Sequence, residues 1–328
     1  MDQIHIPVML DRIVDLLRPG CAPEFSSHPI VVDGTLGLGG HSEAILDNIP
    51  NVSVIGLDRD SQAIAKAQKR LEKFGDRFVA LHTEYHKVQG ALAEADNALC
   101  ERALAEGING ALYDLGVSSM QLDEDERGFS YSRNAPLDMR MDTTQGQTAA
   151  DVLNTYSVQE LASVLRTYGD EKFANKIARA VVSERENQPF SESQELVDLL
   201  YRVIPAAARR TGGHPAKRTF QALRVEVNQE LESLKAALPA VIELLAVGGR
   251  AVFMSYQSQE DKIVKRVFAD YCASHTPLDL PVELPDDKPE FRLVRRGAEK
   301  ATAEERAQNP RSASVRVRAI ERLERTAA

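Results

Sequence analysis

The segment VVDGTLGLGGHS sets Asp33, Gly34, Gly37, Gly39 and Gly40 directly after a short apolar run. Glycines clustered in this way let a backbone turn tightly and let a ligand approach its amides. A second apolar run, VSVIGLD, ends on Asp58. A carboxylate there can accept both hydroxyls of an adenosine ribose, because its two oxygens match a vicinal diol. A dinucleotide fingerprint reads G-x-G-x-x-G, whereas from Gly37 this chain reads GLGGHS, with Ser42 in the place of the third glycine. Asp33 also brings negative charge to where a pyrophosphate would sit. An acid suits a cation, so S-adenosylmethionine, with its sulfonium and ammonium, fits these residues better than NAD. A tight turn with no ligand is the third reading. Another acid, Asp114, lies within the run GALYDL.

These residues can meet only if the runs that carry them lie side by side. Pro7 to Leu17 reads as a helix with Pro7 at its first position. Strands are expected over Pro29 to Thr35, Val52 to Asp58, Arg77 to Leu81 and Gly110 to Leu115. Helices are expected over His41 to Asn48, Ser61 to Phe74 and Lys87 to Ala105. Short apolar strands alternating with helices predict a parallel sheet covered on both faces. The carboxyl ends of such strands line a ligand crevice, which is where the glycine turn, Asp58 and Asp114 fall. After Leu115 the chain from Gly116 to Asp151 is polar, turn-rich and too long for an ordinary connection. Three helices follow without a strand: Ser157 to Thr167, opened by Ser157 and Glu160; Glu171 to Glu186; and Ser191 to Ile204, opened by Ser191 and Gln194. One long helix from Thr219 to Ala246, bent at Pro239, resumes the alternation. A strand (Gly249 to Ser255), a helix (Glu260 to Ala273) and a half-exposed strand (Ser314 to Ile320) then follow. The expected fold is α/β: a doubly wound, Rossmann-like sheet from residues 1–117 and 219–328, interrupted by an inserted helical domain, 118–218.

The 328 residues are 43% hydrophobic and 27% charged, which excludes a disordered chain or a fibre. Cys21, Cys100 and Cys272 are far apart and form no C-x-x-C pair. No zinc site or disulfide framework is expected, and a reducing compartment is the simplest setting. The segment MDQIHIPVML has no basic region or long apolar core, so no secretory signal is expected. The apolar stretch Ala236 to Val247 contains Pro239 and Glu243 and falls short of the ~20 residues that span a bilayer. A cytoplasmic protein without a membrane segment follows. The net charge is −9, yet Arg202 to Arg224 holds six basic residues and no acid, and the chain from Lys288 onward holds eleven basic against six acidic. Two basic regions on an acidic protein fit a polyanion held at a defined place; solvated faces are the plainer alternative.

Four segments, VDGTLGLGGHS, DLGVSSMQLDEDERGFSYSRNAPLDMRMD, RTFQALRVEVNQEL and NPRSASVRVRAIER, together resemble the RsmH (also called MraW) family, from His5 to about Arg322. The resemblance implies a class I methyltransferase fold with a helical insert for substrate recognition. It implies transfer of a methyl group from S-adenosylmethionine to the exocyclic N4 of one cytidine in the decoding region of 16S ribosomal RNA. The implied partner is that RNA or the small ribosomal subunit, and a homodimer is among the candidate assemblies. The family's cofactor contacts fall on Gly39, Gly40, His41, Asp58, Tyr85, Asp114 and Gln121; where Tyr85 stands the family usually has phenylalanine. SYQSQEDKIVK resembles the family's SFHSLEDRIVK, with Gln257 replacing a histidine.

A cytosine amine is a weak nucleophile, because its lone pair is conjugated with the ring. Groups that accept hydrogen bonds from the amine can turn that lone pair towards the methyl. Many amino-methyltransferases use a D/N/S-P-P-Y/F motif after the fourth strand; this chain reads DLGV there. The candidates for that role are Asp114, as the catalytic residue, its neighbouring carbonyls, or Asp138 and Asp142 of the insert. No metal set is visible. Phe129 and Tyr131 could stack on a base or anchor the long loop. Arg140, between Asp138 and Asp142, could clamp that loop as an ion pair. Two readings from other classes stand beside this one: a non-catalytic RNA-binding ribosome-assembly factor, and an NAD-dependent oxidoreductase.

Overall fold

The computed structural model describes residues 7–116, 128–209, 214–274, 276 and 288–323. All four residues of β1 (Ile30–Asp33) are buried at the middle of a sheet. On one side run β2 (Ser53–Asp58) and β3 (Phe78–His82), and on the other β4 (Ile108–Asp114) and β5 (Leu245–Ser255), all parallel. With β6 (Phe291–Leu293) and β7 (Arg316–Arg322) the sheet has seven strands in the order β3-β2-β1-β4-β5-β7-β6, and β7 is antiparallel to both neighbours. The connections leave β1 towards β2 but return to its other side at β4. That reversal opens a crevice beyond the carboxyl ends of β1 and β4.

The strands are apolar throughout because both faces are covered. Val31, Leu112 and Val252 point into a core shared with α1 (Leu10–Leu17), α2 (Gly40–Asn48) and α3 (Ser61–Leu71). Val32, Ala111, Tyr113 and Phe253 point to the other face, onto α4 (Val88–Glu94), α5 (Ala98–Glu106) and the helices Glu230–Leu244 and Ser258–Tyr271. Two helices differ from expectation here. The run from Lys87 to Ala105 is two helices, because Asn97 accepts from Leu99 N at 2.9 Å and so caps a new one. The first helix begins at Leu10, not Pro7: Met9 reverses the chain with φ 53°, and the Pro7 ring instead packs on Gly40.

The chain divides into two compact units, Met1–Gly116 with Glu232–Ala328, and Val117–Leu231. The second unit is helical: α6 (Ala149–Thr155), α7 (Val158–Gly169), α8 (Ala174–Arg185), α9 (Ser193–Val203) and α10 (Lys217–Asn228). Leu161, Leu165, Ile177, Leu196, Leu200 and Phe220 fill its core. Ser157 and Glu160 form the expected reciprocal cap of α7. Glu192 and Glu195, rather than Ser191 and Gln194, cap α9, because Glu195 Oε2 takes the Ser191 and Glu192 amides together. The unit's return boundary lies near residue 231, not 218. Phe220, Ala222 and Leu223 bind α10 into the helical core, so the expected long helix splits into α10 and α11 (Glu230–Leu244). The break is at Gln229, with φ 49°, and not at Pro239, which lies inside α11. Among the described residues no helix is long and apolar enough to cross a membrane.

Candidate active site at the carboxyl ends of the parallel strands

The turn after β1 is stitched to both neighbouring strands: Gly34 N donates to Leu112 O at 2.8 Å and Leu36 N to Leu57 O at 2.9 Å. Gly34 lies flat on the Tyr113 ring, where a Cβ would come within 2.4 Å of a ring carbon. Gly37 and Gly39 have φ of 51° and 75°, left-handed values that glycine adopts without strain, and Gly39 leads into α2. Asp33 is 1% exposed. Its Oδ2 accepts from Ser42 Oγ at 2.7 Å and its Oδ1 from Thr35 N at 3.2 Å. The serine in the third glycine's place is therefore a brace for the turn. Burial pushes the Asp33 carboxyl up, and Ser42, His41 and the Thr35 amide oppose it.

Asp58 Oδ2 accepts from Gly37 N at 2.8 Å and Oδ1 from Asp60 N at 2.9 Å. One carboxylate thus ties the glycine turn to the start of α3. Each oxygen keeps a second acceptor direction, enough for a vicinal diol. Burial raises this carboxyl too, against the two amides. Thr83 N donates to Asp58 O at 2.9 Å, which brings the chain after β3 beside the same strand end. Half-buried Tyr85 follows, its ring edge-on to Tyr113 with centroids 5.7 Å apart.

Asp114 ends β4. Its amide donates to Thr35 Oγ1 at 2.7 Å, and its side chain is 26% exposed. Tyr256 OH donates to Asp114 Oδ1 at 2.7 Å, while Oδ2 lies 3.8 Å from His41 Nδ1. His41 Nε2 lies 3.1 Å from Val8 O. A carbonyl only accepts, so Nε2 carries a hydrogen and Nδ1 holds one only in the imidazolium. Burial is the largest influence on the Asp114 carboxyl and raises it; His41 and Tyr256 draw it down, and Asp33 adds to the rise.

The fold thus gathers Gly39, Gly40, His41, Asp58 and Asp114, with Tyr85 next to Asp58's strand end. Gln121 lies outside the described residues. Sequence reasoning did not find Tyr256. The signal for it is its place directly after β5, the strand beside β4. Gln257 is the N-cap of α12 (Ser258–Tyr271), facing Glu260 in a reciprocal cap. The insert's candidates turn inward within their own unit. Phe129 is buried in the helical core, and Tyr131 stacks on His214 at 4.5 Å with its ring edge-on to Phe220. Both anchor the loop. Arg140 grips Asp138 through two nitrogens at 2.9 and 2.8 Å, whereas Asp142 accepts from Thr144 and Gln145.

Three carboxylates, Asp33, Asp58 and Asp114, converge at one edge of the sheet. A pyrophosphate there would meet like charge; a cation would meet its complement. The sheet order reverses at β1, as in the doubly wound α/β sheet expected from the sequence, with β7 antiparallel between β5 and β6. The model of the MraW methylase family matches residues 2–323. The chain is 59% identical over 322 residues to the ribosomal RNA small subunit methyltransferase H of Corynebacterium diphtheriae, covering 97% of this chain and 95% of that protein. It is 54% identical over 322 residues to the protein of that name from Mycobacterium marinum, covering 98% and 80%. A glycine turn braced by Ser42, acids at three strand ends and likeness along nearly the whole chain lead to one conclusion: the chain belongs to the MraW methylase family.

Proposed function

We propose that this chain, a methyltransferase by family, methylates the exocyclic N4 of a cytidine in the decoding region of 16S ribosomal RNA, with S-adenosylmethionine as donor and the small ribosomal subunit or its RNA as partner. The observation that carries the reading is the acidic crevice. Asp58 presents two oxygens at the end of β2, and Asp114 presents a partly exposed carboxylate at the end of β4. These residues fit a cationic adenosyl ligand. Asp58 would hold the ribose, the turn from Gly37 to Gly40 would lie under the ligand, Tyr85 would flank the adenine, and His41 and Asp114 would face its charged end. Gln121 is assigned to the same site through the family resemblance.

The donor supplies an already activated methyl group, so the protein's task is alignment and charge. Asp114 Oδ2 would accept a hydrogen bond from an incoming amine and take the proton that the amine sheds. Asp138 and Asp142 are engaged within the insert by Arg140, Thr144 and Gln145. An amine target is further supported by the cysteines. Methylation at carbon 5 of cytosine generally needs a thiolate that adds to the ring. Cys21 is buried before β1, with its thiol pushed up to about 12 by burial. Cys100 is buried in α5, and Cys272 follows α12 with its thiol pushed up to about 11. None lies at the crevice. The inserted unit, 117–231, is assigned to substrate recognition, and its cations Arg209, Lys217 and Arg218 to phosphate contact.

The test is to incubate the protein with labelled donor and either naked 16S RNA or small subunits, then to identify the product against chromatographic standards. N4-methylcytidine is expected. 5-Methylcytidine, or RNA binding without transfer, overturns the reading.

A further inference from the structure

We propose that Tyr256 is a positioning residue that keeps the Asp114 carboxylate anionic and turned so that Oδ2 faces the crevice and a cationic ligand. The proposal rests on the reading that Asp114 lines the cofactor site, and it concerns a residue to which that reading gives no part.

Tyr256 stands just beyond β5, which pairs with β4 so that Met254 lies opposite Asp114. From there the ring reaches back over the neighbouring strand end, past Gly116, to place its hydroxyl 2.7 Å from Asp114 Oδ1. Burial raises the phenol far above its usual range, and Asp114, Glu260 and Glu305 add to the rise. The hydroxyl therefore stays protonated and always donates. A donor on one oxygen fixes the carboxylate's rotation and stabilises its charged form.

The other titratable groups facing Asp114 cannot do this alone. Asp33, from β1, is buried and raises the Asp114 carboxyl. His41, from α2, has its Nε2 turned to Val8 O and its Nδ1 3.8 Å from Oδ2, beyond hydrogen-bond reach. Thr35, in the turn, uses its hydroxyl on the Asp114 amide. Without the phenol, burial and Asp33 favour the neutral acid, which has little attraction for an ammonium or sulfonium. Tyr256→Phe removes only the hydroxyl and keeps the ring that packs against the sheet's core.

The experiment is calorimetric titration of S-adenosylhomocysteine, whose ammonium serves as the cationic probe, between about pH 5 and 8. It uses the full-length protein, Tyr256→Phe and Asp114→Asn, each checked for folding by circular dichroism. An anionic Asp114 makes affinity fall about tenfold per pH unit below its pKa. Removing the donor raises that pKa, so the break in the Tyr256→Phe profile should move up by about one pH unit. The variant's deficit should narrow as pH rises, and Asp114→Asn should lose the break. A break at the same pH in parent and Tyr256→Phe, with none in Asp114→Asn, overturns the role of Tyr256 alone. A break retained in Asp114→Asn assigns it to another acid of the crevice, such as Asp58, and overturns the proposal.

Discussion

Asp58 braces the glycine turn and the start of α3 through its two oxygens while standing where a ribose would bind. Its removal by alanine would therefore loosen the turn as well as the ligand. Asp58→Asn keeps the shape and one acceptor oxygen but sets an NH2 against one of the two amides, so circular dichroism must show the fold retained before affinity is read. A charge-assisted hydrogen bond is worth ~1.5–3 kcal/mol, so S-adenosylhomocysteine should bind at least about tenfold more weakly to this variant by calorimetry. Unchanged affinity would remove Asp58 from the site. For Asp114→Asn the expectation is catalytic: a fall in kcat of ~10²-fold, roughly 2.7 kcal/mol, in single-turnover methylation of RNA. Full rate in that variant would clear Asp114 of any part in the chemistry. Both acids are legible in the sequence because each closes an apolar run. The pairing of Ser42 with Asp33 is not, because it depends on α2 turning back over the strand it follows.

At the scale of elements, the two basic regions have different fates. Arg316 and Arg318 on β7 converge on Asp261 of α12, and Arg250 and Arg292 converge on Glu321. These cations hold the antiparallel edge of the sheet together. Burial raises the Asp261 carboxyl, but Arg318 and Arg316 outweigh it and hold it below the usual carboxylate range. A group whose native pKa is depressed gives up protons on folding. Its stabilisation is therefore complete above about pH 4, its unfolded value, and is lost as pH falls through the native one. Asp261→Asn should cost about 3 kcal/mol in denaturant unfolding at neutral pH, and the gap from the parent should close in acid. An equal cost at every pH would assign the loss to packing. In the region from Arg202 to Arg224, Arg202 pairs with Glu184 and Arg224 with Glu230. Arg209 lies over the Tyr201 ring, and Lys217 and Arg218 are exposed. If these three contact phosphates, RNA affinity falls with salt by a log–log slope of roughly −0.7 per contact. Glutamine at Arg209, Lys217 and Arg218 should flatten that slope; the same slope in variant and parent would make them merely solvated.

At the scale of the whole molecule, the boundary near residue 231 has a practical consequence. Each unit has its own apolar core. Replacing residues 117–231 with a short Gly/Ser linker should leave a monodisperse, cooperatively melting protein with weakened cofactor binding and no RNA methylation. Stopping the excision at residue 217 would strand α10, with Phe220, Ala222 and Leu223 stripped of the core that buries them. Phe220 and Leu223 each forfeit about 1.5–3 kcal/mol of burial, so that version should aggregate. Size-exclusion chromatography distinguishes the two outcomes, and equal behaviour would place the boundary elsewhere.

Periodicity and punctuation along the chain determined the alternation of strands and helices, the helical interruption and the acids at the strand ends. Each is a local property, set by apolar runs of strand length and by glycines and caps within a few residues. Tertiary structure alone decided which partners those acids take. Tyr256 lies 142 residues from Asp114 and Val8 lies 33 from His41, distances that no local pattern spans. It decided equally that the chain breaks at Gln229 and not at Pro239. Asn228 there bonds Met139 O and Met141 N in the insert, and the backbone yields where a distant segment claims its side chain. Hydrogen-bonding groups are satisfied wherever the packed chain brings a partner, and only the packing of distant segments says where that is.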